Sequence, residues 1–238
     1  MALVKNVFMV AAVCLAFTAN GLAQDSNAVR TEEGTINDIP AKPFRMPSLT
    51  DVGGSSPFLS NEYRQGAVEL GQGRVVKDVP LKFNTFNNAI MLIRDGKELK
   101  VDFFELVSYT EKDMDGNPHQ YIFKAGYPEI DGHNENSIYQ VLSYGSKVHL
   151  LKFISQKVED VPTLGDYSRR EIVTTEQFYV YVPGGEIKRL KSLKSGKQSL
   201  LEALPAYSSR IGEISAAKKL KLKTESEISV LVEELNKP

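Results

Sequence analysis

The segment from residue 79 to residue 106 constrains the fold most, because it holds the densest apolar and aromatic material after the first 23 residues. At its start, Leu81 and Phe83 alternate with polar residues, the period of two that is typical of a half-buried strand. Asp95-Gly96 then gives a strong hairpin signal, since both central positions of a type I′ turn require a positive φ. The segment therefore predicts an antiparallel β-meander in which Leu99, Val101 and Phe103 continue the alternation after the hairpin and Phe103 is a core residue.

The first 23 residues have the pattern of a secretory signal peptide. Lys5 is the single charge ahead of an apolar run over residues 7–17, and small residues stand at Gly21 and Ala23. The run is shorter than the roughly 20 apolar residues that a membrane span needs. We therefore expect an exported protein, cleaved near Ala23, that is periplasmic or secreted and has no transmembrane span in its mature chain.

The only cysteine, Cys14, lies within this leader. An alternative is a lipoprotein attached through Cys14, although the residues before it lack the usual large aliphatic and small pair. Cleavage near Ala23 leaves no disulfide and no thiolate metal ligand, so we expect the core alone to stabilise the fold. It also removes Lys5, which leaves 28 basic and 30 acidic residues and a formal net charge of −2. This balance argues against a nucleic-acid partner.

Composition divides the rest of the chain into an arm and one domain. Residues 24–55 are rich in polar residues, Pro and Gly, and predict a flexible N-terminal arm. Residues 56–190 contain alternating strand patterns separated by turn residues, and helical patterns follow over residues 191–238. Together, residues 56–238 predict a single α+β domain. Its sheet is expected to be a mostly antiparallel β-meander, with strong curvature allowed, followed by two or three C-terminal helices.

Two helix starts carry capping signals. Ser195 with Gln198 and Thr224 with Glu227 each have the spacing of a capping box. After the second, apolar residues recur at the i, i+3, i+4, i+7 spacing of one buried helical face. The last helix is thus the clearest element of the helical tail.

The candidate ligand-binding residues lie on a late strand and in the basic run that follows it. Tyr179 and Tyr181 alternate with apolar residues, so they form either a ligand platform or the second face of a covered strand. The basic residues Lys188, Arg189 and Lys191 can attract anionic lipid headgroups or a polysaccharide, or they can protect an edge strand from pairing with other chains.

No catalytic or metal-binding motif is present in the sequence. The three histidines are too widely spaced for a helix-borne metal pair, and no nucleophile elbow or phosphate loop occurs. An EF-hand interpretation of Asp113 and Asp115 fails because Ile122 stands where the bidentate Glu is required. The loop acids, Asp113, Asp115, Glu129, Asp131 and Glu135, cannot be ranked as a catalytic pair. We expect no catalytic residues, no metal site and no cofactor.

Four segments carry a resemblance to a known group. The chain resembles a widespread group of exported proteins of Gram-negative bacteria that contain a domain of unknown function, over Ser56–Tyr63, Val79–Asn84, Asp95–Lys97 and Lys219–Lys223. The resemblance implies an exported α+β domain and adds no active site.

The sequence therefore favours a non-enzymatic binding or structural module of the cell envelope, whose partner is an envelope protein, a glycan or a lipid. One alternative is a periplasmic carrier of an apolar ligand, suggested by the aromatic residues of a curved sheet. The other is a hydrolase that uses the loop carboxylates.

Overall fold

A computed structural model of the chain describes residues 32–46, 49, 52–112, 116–162 and 168–238. Within these residues, thirteen strands form one open sheet and three α-helices follow it. The predicted α+β class, a mostly antiparallel sheet followed by C-terminal helices, is confirmed.

The strands and helices are numbered in chain order, and the strands vary from two to fourteen residues in length. The strands are β1 (Glu32–Glu33), β2 (Ala41–Pro43), β3 (Gly53–Gly54), β4 (Arg64–Leu70), β5 (Arg74–Asn84), β6 (Ala89–Arg94), β7 (Lys97–Val101), β8 (Leu106–Lys112), β9 (Pro118–Lys124), β10 (Tyr139–Ser143), β11 (His149–Pro162), β12 (Ser168–Tyr181) and β13 (Ile187–Leu190). The helices are α1 (Gly196–Ala203), α2 (Ser208–Ala217) and α3 (Glu225–Asn236).

The main path of the sheet follows the order β13-β12-β11-β10-β9-β8-β4-β5-β6-β7-β2, and every pair along it is antiparallel. Two short strands pair parallel outside this path, β1 with β5 and β3 with β12. The longest pairing joins β11 and β12, from His149 opposite Tyr181 to Pro162 opposite Ser168. Connections between neighbours in sequence dominate, which is the topology of a meander.

The predicted hairpin at Asp95-Gly96 is confirmed. Asp95 has a φ of 53° and Gly96 a φ of 71°, and the flanking residues Arg94 and Lys97 pair directly. Both central residues therefore adopt the left-handed conformation that a two-residue I′ turn requires.

The strand predicted through residue 103 ends earlier, at Val101. Phe103 lies in the connection to β8 and its surface is 56% exposed, whereas Phe104 is buried in the core. The prediction that Phe103 belongs to the core is therefore wrong. The chain leaves the sheet here, and adjacent side chains of an extended segment point to opposite sides.

The described part of the predicted N-terminal arm contacts the sheet. Strands β1, β2 and β3 lie within residues 24–55 and pair with β5, β7 and β12 respectively. Ile39 is also buried, with 1% of its surface exposed, among the core residues of β5 to β7. The folded domain thus extends before Ser56, at least to Glu32.

The segments Ser56–Tyr63 and Val79–Asn84 contact each other. The ammonium group of Lys82, on β5, lies 3.8 Å from the ring centre of Phe58 and 4.5 Å from that of Tyr63. A lysine that alternation places on the polar side of a strand is thereby 93% buried, beneath two aromatic rings that attract its charge.

The sheet is strongly curved. Four strands separate β5 from β11 in the sheet order, yet Thr85, just after β5, donates a hydrogen bond of 2.8 Å to Gln156 on β11. The Gln156 amide in turn donates to the main-chain oxygen of Ser56 at 2.9 Å. The segment around Ser56 therefore bridges two distant parts of the same sheet.

Three apolar clusters form the core. The first lies on the strands from β4 to β9, the second lies between one face of β11 to β13 and the helices, and the third lies on the opposite face of those strands. The neighbours Leu150 and Leu151 belong to the second and third clusters respectively, and both are fully buried. Strand β11 is therefore covered on both faces.

Helix α3 has the predicted start and buried face. The Thr224 hydroxyl accepts a hydrogen bond of 3.3 Å from the Glu227 main chain, and Glu227 accepts from the main chain of Lys221 and Lys223. Helix α1 differs, because Ser195 makes no capping bond and Gln198 instead pairs with Glu202. None of the described helices is long and apolar enough to cross a membrane. The buried residues of α3 are Ile228, Leu231, Val232 and Leu235.

Candidate functional site

The five candidate residues lie close in sequence but do not form one site. In the pairing of β12 with β13, Tyr179 lies opposite Arg189 and Val180 lies opposite Lys188. Since side chains alternate along a strand, Tyr179, Tyr181 and Arg189 share one face, and Lys188 points to the other.

Tyr179 is a core residue rather than a ligand platform. None of its surface is exposed, and its hydroxyl donates to Oδ2 of Asp131 at 3.0 Å and lies 3.0 Å from the side-chain oxygen of Gln177. Burial, followed by the bond to Asp131, raises the pKa of Tyr179 well above its ordinary range. Arg189 lies 3.4 Å from the same carboxylate. The position therefore fits the second interpretation, a covered strand.

An aromatic cluster surrounds Tyr179 on this face. Tyr139 packs edge-on against Phe153 and Tyr179, and His133 stacks on Phe153 with a ring separation of 3.8 Å. Nδ1 of His133 lies 2.8 Å from the Tyr139 hydroxyl. These contacts place the segment between β9 and β10 as a cover over the sheet.

A second histidine is held in the same way. Nδ1 of His149 lies 3.1 Å from the Tyr127 hydroxyl, and the rings of Tyr127, Tyr144 and Tyr181 contact that imidazole or one another. Burial lowers the pKa of both His133 and His149 below the ordinary value of 6.5, which favours the neutral imidazoles. The cluster is thus a hydrogen-bonded core in which each of the two histidines has a tyrosine hydroxyl group as its hydrogen-bond partner.

The basic run is partly neutralised by acids. Arg189 faces Asp131, and Lys191 forms an ion pair of 2.7 Å with Glu202 of α1. Lys188 forms no ion pair with a described residue and lines a cavity of about 550 Å³, whereas Arg189 and Lys191 line a smaller cavity of about 270 Å³. Among the three basic candidates, Lys188 is therefore the one that lines the larger cavity without an acidic partner among the described residues.

The cavity beside Lys188, which we call the helix-side cavity, has a volume of about 550 Å³. It lies where α1 ends and a 3-10 turn beginning at Pro205 redirects the chain toward α2. Its lining is mainly apolar and consists of Val180, Val182, Glu186, Lys188, Ala203, Leu204, Pro205, Ala206 and Tyr207.

A second cavity, the Phe103 cleft, has a volume of about 950 Å³ and lies between the connection from β7 to β8 and the segment after β9. The sequence feature that could have indicated this cleft is the adjacent pair Phe103-Phe104. Neighbouring side chains of an extended chain point to opposite sides, so only one of the two rings can face the core. The lining is Lys42, Asn88, residues 100–105, residues 124–126, Glu135, Asn136 and Ile138.

Two acidic residues that the structure describes are already engaged by other side chains. Glu111 accepts hydrogen bonds from Ser60 and Arg64, and Asp131 is bound to Tyr179 and Arg189. Asp113 and Asp115 lie outside the described residues. In the part of the chain that the structure describes, no group of three or more His, Cys, Asp or Glu residues is arranged to hold a metal ion.

No protein-family model, curated protein or solved structure matches the chain. The fold defines the class as an α+β domain with a curved antiparallel sheet, and the helix-side cavity and the Phe103 cleft are each large enough to hold a small ligand.

Proposed function

We propose that the protein is an exported, non-enzymatic binding protein of the cell envelope that holds an apolar ligand in the helix-side cavity. The apolar lining of this cavity, between β12, β13 and the end of α1, is the observation that carries the proposal. The signal-peptide pattern of the first 23 residues supports export, and so does the resemblance to exported proteins of Gram-negative bacteria.

The size and chemistry of the cavity suit a small ligand. Its volume of about 550 Å³ lies within the range of roughly 300–1,000 Å³ that small-molecule sites occupy. Burial of apolar surface contributes a favourable free energy of about 25 cal/mol for each Å² removed from water. An apolar chain can therefore bind without many polar contacts.

Lys188 and Glu186 supply the charged groups of the lining. A few polar groups among apolar residues are the usual means of orienting a ligand in such a site. The ligand class that fits is therefore an acyl or aryl chain with one polar end, and the polar end would lie against this pair.

The test is a titration of the full mature chain, purified from the periplasm, with 11-(dansylamino)undecanoic acid, a fluorescent fatty acid. Ala206 is exposed and lines the cavity, so Ala206→Trp would obstruct it without replacing a buried residue. The exposed Ala216 of α2 is not in the lining, so Ala216→Trp is the matched control.

We expect the native protein and Ala216→Trp to bind the probe equally, and Ala206→Trp to bind it about tenfold more weakly. Native mass spectrometry of the periplasmic protein should also show a co-purified apolar molecule. Equal binding by the two tryptophan variants, or no binding by the native protein, contradicts the proposal.

A further inference from the structure

The Phe103 cleft shares no lining residue with the helix-side cavity. It is bounded by the connection from β7 to β8 on one side and by the segment after β9 on the other. Its ligand must therefore be inferred from its own residues.

Phe103 presents an aromatic ring to solvent on a fixed backbone. Its surface is 56% exposed, and with Tyr144 it is one of two large exposed hydrophobic residues in the described chain. The main-chain N–H of Asp102 donates to Pro40 at 2.8 Å, and that of Glu105 donates to Glu69 at 2.8 Å. Phe104 is buried between them. The connection is thus anchored on both sides of the exposed ring.

The charges of the cleft balance. Its lining contains three lysines and three acids, and the pair Lys42–Asp102 lies at 2.7 Å. Lys124 donates to the main-chain oxygen of Glu105 at 3.2 Å. Lys100 and Glu135 form no ion pair with any other described residue, so a donor and an acceptor are left for a ligand. The charged residues are Lys42, Lys100, Lys124, Asp102, Glu105 and Glu135.

We propose that the Phe103 cleft binds a neutral oligosaccharide. A sugar ring has an apolar C–H face that packs on an aromatic ring, and its hydroxyl groups both donate and accept hydrogen bonds. The cleft combines one exposed aromatic ring with donors and acceptors and no formal net charge, which matches both properties.

Other ligand classes fit less well. A polyanion would meet as many carboxylates as ammonium groups, and a purely apolar ligand would leave Lys100 and Glu135 without solvent or partners. The volume of about 950 Å³ is near the upper end of the range for small-molecule sites, which favours several linked sugar rings over one.

The test is isothermal titration of the mature protein with three neutral tetrasaccharides, namely tetra-N-acetylchitotetraose, cellotetraose and maltotetraose, together with a neutral glycan array. Phe103→Ala removes the ring, and Tyr144→Ala is the matched control because Tyr144 is 55% exposed and lies outside the cleft. Circular dichroism and thermal unfolding should show that both variants remain folded.

We expect binding of at least one neutral glycan, weakened about tenfold by Phe103→Ala and unchanged by Tyr144→Ala. Glu135→Gln should weaken binding less, since the amide still accepts a hydrogen bond. The proposal is overturned if no glycan binds at millimolar concentration or if the two alanine variants bind equally. Ala206→Trp should leave glycan binding unchanged, so this result is independent of the apolar-ligand proposal.

Discussion

The two faces of β11 and β12 are both buried, but by different chemistry. On the face of Leu150, the helices contribute apolar side chains such as Leu231 and Val232. On the face of Leu151, the cover consists of tyrosines and histidines whose polar atoms bond to one another. The helix face has a cavity of about 550 Å³ at its margin. On the aromatic face Tyr179 is fully buried, and a cavity of about 420 Å³ lies in the covering segment, lined by residues 129–134.

This difference indicates where a ligand can enter. Apolar contacts are not directional, so a ligand can replace water on the helix face without leaving a polar group unpaired. On the aromatic face, a ligand would have to replace hydrogen bonds such as that between Tyr179 and Asp131, and an unpaired buried hydroxyl costs about 1–3 kcal/mol. We therefore assign Tyr179 a structural role.

The largest expected effect comes from truncating the paired leucines. Leu150→Ala and Leu151→Ala should each lower the free energy of unfolding by about 2–5 kcal/mol, because both side chains are fully buried. Urea denaturation monitored by circular dichroism measures both, with the partly exposed Val173→Ala as control. A cost below about 1 kcal/mol for Leu151→Ala alone would show that the aromatic face is an accessible surface and not a core.

A smaller difference in the free energy of unfolding is expected between variants of Tyr179 and Tyr181. Tyr179→Phe should cost about 1 kcal/mol of stability, since it removes a buried hydroxyl that bonds to Asp131. Tyr181→Phe should cost less, because its hydroxyl accepts only an exposed bond of 3.1 Å from the Gly184 main chain. Equal costs in urea denaturation would remove the distinction between a core tyrosine and a peripheral one.

The smallest expected effect is a pH dependence of stability that arises from the two histidines of the aromatic face. Burial lowers the pKa of His133 and His149 in the folded state, whereas the unfolded chain titrates near 6.5. Between about pH 7 and pH 5 the unfolded state therefore binds more protons, and stability should fall on acidification.

Thermal unfolding across this pH range tests the effect. The double variant His133→Phe, His149→Phe should lose less stability between pH 7 and pH 5 than the native protein does, even if its stability at pH 7 is lower. His119→Gln, at an exposed position, is the control. An unchanged pH dependence in the double variant would rule out these histidines as its source.

The sequence predicted the parts of the fold that local chemistry determines. Asp95-Gly96 encodes its turn through backbone conformation, and Thr224 with Glu227 encodes the start of α3 through hydrogen bonds between neighbours in sequence. The alternation in β12 likewise assigned Tyr179 and Val180 to opposite faces.

Features that depend on distant residues were not predictable in this way. The two-residue strands β1 and β3 pair through main-chain groups, which leave no side-chain pattern to recognise. The partner of Arg189, Asp131, lies 58 residues away, and the exposure of Phe103 depends on where the sheet ends. Lys188 was identified by its charge, but the cavity beside it results from the path of the helices.

The bond between Gln156 and Ser56 also has a consequence for the order of events during synthesis. Ser56 leaves the ribosome 100 residues before its partner, and Gly54 similarly precedes Ile172. The contacts of this segment with β11 and β12 can therefore form only after most of the sheet has been translated. The segment is among the first parts of the domain to be made, and its contacts with β5 can form long before those with β11 and β12.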